Sequence, residues 1–267
     1  MKSNYLLKLM STWRLIAVCI IGAAVITGCG SSSSTTAGVG SGGTGTLAKI
    51  SGTVADGYLT NATVYLDKNS NYQLDAGEPS TKSGENGAYT LDVEPADVGM
   101  YPVVALVIKD VTIDKDTNLA VTNSYVLSMH KEYVSGSVSS NFISPISSQL
   151  RELMETGRYS SIQHAADTLR TEMGLLAGTD MTADFIATNH TKMHYAAQNM
   201  ATLMGNQMEY VMGMNGSTIT VDVNRYRAMM ETIFSNMATV CAENNQTEMS
   251  HLHDTITMRL SGMMGGM

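Results

Sequence analysis

Twelve residues from Asp67 to Glu78, DKNSNYQLDAGE, carry oxygen-bearing side chains at loop positions 1, 3, 5, 9 and 12. A hard cation such as Ca²⁺ takes six to eight oxygens at about 2.3–2.6 Å, and alternate residues of a tightly curled loop turn their side chains toward one centre. In that arrangement Asp67, Asn69, Asn71 and Asp75 supply side-chain oxygens, Gln73 its backbone carbonyl, and Glu78 both carboxylate oxygens. A DxNxN run alone also describes a solvated turn between strands. The acid at position 9, the glutamate at position 12 and the apolar Leu74 at position 8 favour the ion site. Position 6 departs from the pattern, because the sharp turn there usually wants glycine and Tyr72 tolerates a positive φ poorly. Three formal negative charges with two neutral Asn ligands predict modest affinity, on the order of 10⁻⁴–10⁻³ M as in extracellular modules. At that affinity the ion is structural rather than a signal.

Softer chemistry has weaker support. All but five of the 21 methionines (Met1, Met10, Met100, Met129 and Met154) lie after residue 170. Met200, Met204, Met208 and Met212 recur every four residues, and Met193, Met229, Met230 and Met237 stand where they can face that ladder. Thioethers select Cu(I), but a four-residue step is also helix packing, and flexible methionines fill cores. His190 and His194 stand i, i+4 in HTKMH, which lacks the glutamate of a zinc-hydrolase HExxH. His251 and His253, in HLHD, form a second pair that reads equally as solvent-facing. Asp114, Asp116 and Asn118 mimic the start of another calcium loop, but positions 9 and 12 of that frame fall on Thr122 and Tyr125, so a hairpin turn is the better reading. Cys241 has no basic neighbour and reads as a small core residue. With no nucleophile elbow, phosphate-cradling glycine loop or haem-attachment motif, the chain reads as a non-enzyme.

The N-terminus predicts export. Lys2, Lys8 and Arg14 precede the apolar run Leu15 to Ile26, too short for an ordinary membrane span and suited to a signal peptide over 1–28. Ile26-Thr27-Gly28-Cys29 resembles the lipobox of bacterial lipoproteins, which implies lipidation at Cys29 and a membrane anchor. Gly30 rather than Asp after the cysteine implies, by the habit of that family, the outer membrane. Residues 29–46 form an uncharged Gly/Ser tether that cannot bury a core. Loss of Lys2, Lys8 and Arg14 takes the net charge from −8 to −11, which argues against nucleic acid as a partner. Cys241 would be the sole thiol left to the folded part, so an intramolecular disulfide is excluded.

The elements that would hold the loop change period along the chain. From 47 to 135, short β-branched and aromatic runs (50–54, 62–66, 88–93 and 103–108) are broken by Asp56-Gly57, Gly84 to Gly87 and Pro95, the pattern of an antiparallel β-sandwich. From 140 to 267 the period is helical. Ser144-Pro145 starts one helix that Gly157 stops, and Ser160 with Gln163 forms a capping box for a second ending at Gly174. Long helices are expected over about 188–213 and 221–245, joined by a turn at Asn215-Gly216, with a shorter one over about 247–260.

Ser51-Gly52-Thr53-Val54, Ala62 to Asp67 with the acidic loop, and Glu85-Asn86-Gly87-Ala88-Tyr89-Thr90-Leu91 together resemble the prealbumin-like sandwich of bacterial surface proteins. Relatives of that sandwich include carboxypeptidase regulatory-like domains, collagen-adhesin B-type domains and the calcium-binding B repeats of serine-aspartate-repeat adhesins. The resemblance covers about 80 residues. It implies that Tyr89 packs between sheets, that Asp67, Asn69, Asn71, Asp75 and Glu78 hold Ca²⁺, and that the module is a stalk, spacer or binding unit. Phe142 to Pro145 and the helices after it resemble a helical region that often follows such sandwiches in surface lipoproteins. The expected fold is therefore α+β and multi-domain, a sandwich followed by a Met-rich helical bundle. The expected function is structural or adhesive in the bacterial envelope, with a protein or polysaccharide partner. The alternatives are a copper or zinc binder acting through its Met and His residues, and an accessory module of an envelope enzyme complex.

Overall fold

The computed structural model describes residues 46–136, 141–215, 218–243 and 245–264. The signal, Cys29 and nearly all of the tether lie outside them. The chain is mixed α+β. Strands β1 (Ala48–Val54), β2 (Leu59–Thr60), β3 (Thr63–Leu66), β4 (Ser80–Lys82), β5 (Ala88–Val93), β6 (Val103–Val107), β7 (Ile113–Asp114), β8 (Leu119–Ala120), β9 (Tyr125–Met129) and β10 (Asn141–Ile143) come first. Helices α1 (Pro145–Glu155), α2 (Ile162–Glu172) and α3 (Thr191–Val211) follow, then β11 (Met212–Asn215) and β12 (Thr218–Val221). The chain continues through α4 (Val223–Ser235), α5 (Met237–Val240) and α6 (Gln246–Met264).

One sheet has the order β10-β1-β5, and a second the order β4-β3-β6-β9. In β1 and β5 alternate residues are buried, with Ile50 and Val54 on one strand and Tyr89, Leu91 and Val93 on the other. This is the period-two signature of a sheet with one wet face. Every residue of β6 and β9 is buried, so both faces of those strands are covered. The parallel pairing of β10 with β1 was not expected from the sequence. It depends on Gly52, where a Cβ would sit 1.9 Å from the Asn141 carbonyl oxygen. Asn141 fixes the register by donating from Nδ2 to the carbonyls of Ser51 and Ser135, each at 2.7 Å.

The helices begin at recognisable caps. The Ser144 side chain accepts from the Ser147 amide and Ser147 returns the bond, with Pro145 at the first helical position. The cap of α2 is Ser161 rather than Ser160, and His190 and Asp222 cap α3 and α4. Helix α1 is buried along Pro145 to Leu153, polar residues included, because it packs against β9, α2, α3 and α4. Ser147 donates to the Ser128 carbonyl at 2.7 Å, and the Ser128 amide donates to Ser148 at 2.8 Å. These bonds satisfy hydroxyls that would otherwise make that surface costly.

The segment expected as a turn at Asn215-Gly216 belongs to the β11–β12 hairpin, as the β-branched run Thr218-Ile219-Thr220-Val221 favours; residues 216–217 lie outside the described set. The helix expected over 221–245 breaks at Asn236, whose backbone leaves the helical region and whose side-chain Nδ2 donates back to the Thr232 carbonyl at 2.8 Å. The described residues cluster as one compact unit, and strand and helix residues contribute to one continuous core. Met193, Met200, Met204, Met208, Met229, Met230 and Met237 are all in it, and Cys241 is buried with them. Met204→Ala should therefore cost about 2–5 kcal/mol by urea denaturation, whereas Met258→Ala, at a position 68% exposed, should stay within about 0.5 kcal/mol of wild type.

Candidate functional site

The loop that leaves β3 turns its polar side chains onto one another. Asp67 Oδ1 and Asn69 Oδ1 accept from the Asn71 amide at 3.0 and 3.2 Å, and Asn71 Oδ1 accepts from the Gln73 amide at 2.8 Å. Such side chain-to-backbone bonds curl the chain and leave each oxygen a further lone pair. The side-chain Nδ2 groups of Asn69 and Asn71 both donate to Asp75 Oδ2 at 2.7 Å. Glu78 closes the loop by accepting from the Lys68 amide at 2.7 Å and from the Asp75 amide at 3.0 Å. Positions 1, 3, 5, 9 and 12 thus share one hydrogen-bonded cluster. Burial pushes the Glu78 carboxyl above its ordinary range, and the charges of Asp67 and Asp75 push it the same way.

This donor set fits a hard cation, since it is all oxygen and carries more negative charge than its surroundings neutralise. Asp67, Asn69, Asn71, Asp75 and Glu78 would hold the ion, with the Gln73 carbonyl as the backbone ligand. Bound Ca²⁺ would supply the charge that the carboxylates lack. Among the described residues no group of three or more His, Cys, Asp or Glu side chains is arranged to hold a metal, and the loop instead depends on its two asparagines.

Tyr72 explains its departure from the pattern. Its φ is +62°, so position 6 takes the left-handed turn that glycine usually supplies, at a cost on the order of 1–2 kcal/mol. The residue is 1% exposed. Its ring lies 3.8 Å from the Arg151 guanidinium carbon and 4.7 Å from the Tyr226 ring, and its hydroxyl donates to Glu152. The Tyr72 carbonyl accepts from the Tyr65 hydroxyl at 2.7 Å. Burying an aromatic ring against a cation and a second ring offsets the backbone cost.

Arg151 is the residue that sequence reasoning missed. It is 0% exposed, and its Nη2 donates to Asp67 Oδ2 at 2.9 Å while its Nε donates to Glu155 Oε1 at 2.8 Å. Arg227 donates to the other Glu155 oxygen at 2.5 Å and lies 3.7 Å from Glu152. Burial drives the Glu152 carboxyl up to about 7, opposed by the Tyr72 hydroxyl. An arginine at this helix position resembles any solvent-facing residue, so only the tertiary structure reveals it.

A second acidic cluster stands at Asp56, which the sequence marked only as turn punctuation. Tyr125 donates to Asp56 Oδ2 at 2.6 Å, and burial drives this carboxyl up to about 7, with the nearby charges of Asp114 and Asp116 adding to the shift. Gly57 permits the approach, because a Cβ there would sit 2.4 Å from Asp114 Oδ1. Asp114 and Asp116 belong to the expected β7–β8 hairpin, and Asp116 Oδ2 is bonded by Gln198 at 2.8 Å and His194 at 2.7 Å. The histidines have separate tasks. His190 caps α3, His194 pairs with Asp116, and His253 lies 3.3 Å from Asp254. Cys241, its thiol pushed up to about 11 by burial, has the character of a core residue. A cavity of about 380 Å³ adjoins Asp56, and one of about 610 Å³ lies between α3, the β11–β12 hairpin and the Lys109–Ser124 region. Neither is lined by the loop.

No family model, curated protein or solved structure matches the chain. Among the described residues, no helix is long and apolar enough to cross a membrane.

Asp56 has a folded-state value near 7 against an ordinary 3.8, so the folded state holds its proton more tightly than the unfolded chain does. Its contribution to stability is therefore full below about pH 4, falls as pH rises toward 7, and is flat above. Glu152 adds a slope of the same sign between about 4.5 and 7. In chelator, unfolding free energy should drop by a few kcal/mol over that interval. Asp56→Asn should remove a large share of the drop, as measured by urea titrations at stepped pH.

Proposed function

We propose that the chain is a non-catalytic lipoprotein of the bacterial envelope, a structural or adhesive module in which one Ca²⁺ braces a prealbumin-like sandwich that carries a Met-rich helical region. The observation that carries this reading is the hydrogen-bonded cluster of Asp67, Asn69, Asn71, Asp75 and Glu78, the oxygen set and spacing of a calcium loop. Further support comes from Asn86 and Gly87, which take positive φ of 53° and 71° ahead of a buried Tyr89, and from contacts between β3 and β5 and between β10 and both β6 and β9. The lipobox at Cys29, the Gly/Ser tether and the acidic body fit a module held off a membrane where calcium is plentiful. The partner on this reading is a protein or polysaccharide of the envelope. Met200, Met204 and Met208 of the Met ladder are buried and give the helical region an adaptable core rather than an open thioether site.

Isothermal titration with native mass spectrometry tests the calcium site. One Ca²⁺ per chain should bind with a Kd on the order of 10⁻⁴–10⁻³ M. Asp75→Ala, which removes the acceptor shared by both asparagines, should abolish that binding while the chain stays folded in chelator. No uptake by wild type at millimolar calcium would refute the reading.

A further inference from the structure

The sixth position of the loop carries far more side chain than the turn requires. Glycine would reach the same φ without steric cost. Tyr72 instead extends its ring out of the loop and into the helical layer, against Arg151 and Glu152 of α1 and Tyr226 of α4. The loop's first residue is tied to the same helical turn, since Asp67 Oδ2 accepts from Arg151 Nη2 and from the Tyr72 amide at 3.2 Å. Tyr226 continues the path, donating to the Val126 carbonyl of β9 at 3.0 Å. Two loop residues are thus anchored on the adjacent pair Arg151 and Glu152, with all four side chains buried.

We propose that Tyr72 transmits occupancy of the loop to the helical layer, so that calcium binding tightens the contact between α1 and α4. The proposal rests on the calcium reading of the loop and adds a consequence to it. A cation held by residues on both sides of Tyr72 fixes the backbone from which the ring projects, and the ring is packed too closely to move independently of its neighbours. Linkage makes the effect reciprocal. A change that loosens the helical side more in the calcium-bound state than in the free state must weaken calcium binding by that same free-energy difference.

Hydrogen exchange read by mass spectrometry on the full chain, with calcium or chelator, tests this alongside calcium titration. In wild type, calcium should slow exchange in peptides covering 145–155 and 223–235 as well as in the loop. Tyr226→Leu, remote from the ligands, should weaken calcium binding by about fivefold or more, the lower range of typical site-to-site coupling. Tyr72→Gly, which supplies the turn without the ring, should confine the protection to the loop. If wild-type protection stops at residues 67–78, or folded Tyr226→Leu binds calcium as tightly as wild type, the coupling is overturned while the calcium site stands. If wild type binds no calcium, both fall. Should either variant fail to fold, the wild-type comparison decides alone.

Discussion

Arg151 has no exposed surface, and the partners that its Nε and Nη2 gather join the loop to the helices. A guanidinium removed from water costs several kcal/mol unless carboxylates and hydrogen bonds surround it. Here Asp67 meets one arm of the planar fork, Glu155 meets Nε, and the Tyr72 ring covers its face. Asp67 follows β3, Glu155 lies on α1, and Tyr72 takes a left-handed turn at the sixth position of the loop. The one cation therefore ties loop to helix, and Arg227 extends the network to α4 through Glu155. Losing either partner of the central pair would strand a buried charge, which explains why the loop holds its curl with its first carboxylate turned partly inward.

This arrangement gives the loop an unusual economy. In a loop that depends wholly on its ion, glycine at the sixth position lets the backbone turn freely. Here the turn is held by the burial of Tyr72, by its amide bond to Asp67 and by Tyr65 on its carbonyl. A preformed loop would lose less entropy on taking an ion, so that on the proposed reading few charged ligands would suffice. On the proposed calcium reading, the same packing would carry the effect of a bound ion to the helical layer, where Met200, Met204, Met208, Met229 and Met230 are buried in a deformable core.

Much of this was legible in the residues. The spacing of Asp67 to Glu78 marked the loop, Ser144-Pro145 marked the start of α1, and the four-residue methionine step marked buried helix from Met200 to Met208 but not at Met212, which opens β11 and is half-buried, because each depends on local geometry with a fixed period. Tyr72 was visible only as a mismatch. What it gains from burial comes from α1 and α4, some 80 and 150 residues away in sequence. Arg151 and Glu152 were invisible for the same reason, since a charged pair on a helix ordinarily faces water. The β1–β10 pairing also escaped, as a parallel neighbour distant in sequence leaves no turn signal and shows only in the close approach at Gly52. Asp56 read as the first half of a turn dipeptide, and its burial follows from Tyr125 and the β7–β8 hairpin closing over it.

The Asp67–Arg151 pair joins the loop to the helices, and a double-mutant cycle measures that tie most directly. Unfolding free energies in chelator for wild type, Asp67→Asn, Arg151→Met and the double variant isolate the pair. Each single change should cost about 3–5 kcal/mol, because it leaves an uncompensated buried charge. The double change should cost far less than their sum, with a coupling energy of about 2–3 kcal/mol. Additive effects, with no coupling beyond about 0.5 kcal/mol, would mean that this pair does not hold the loop to the helices.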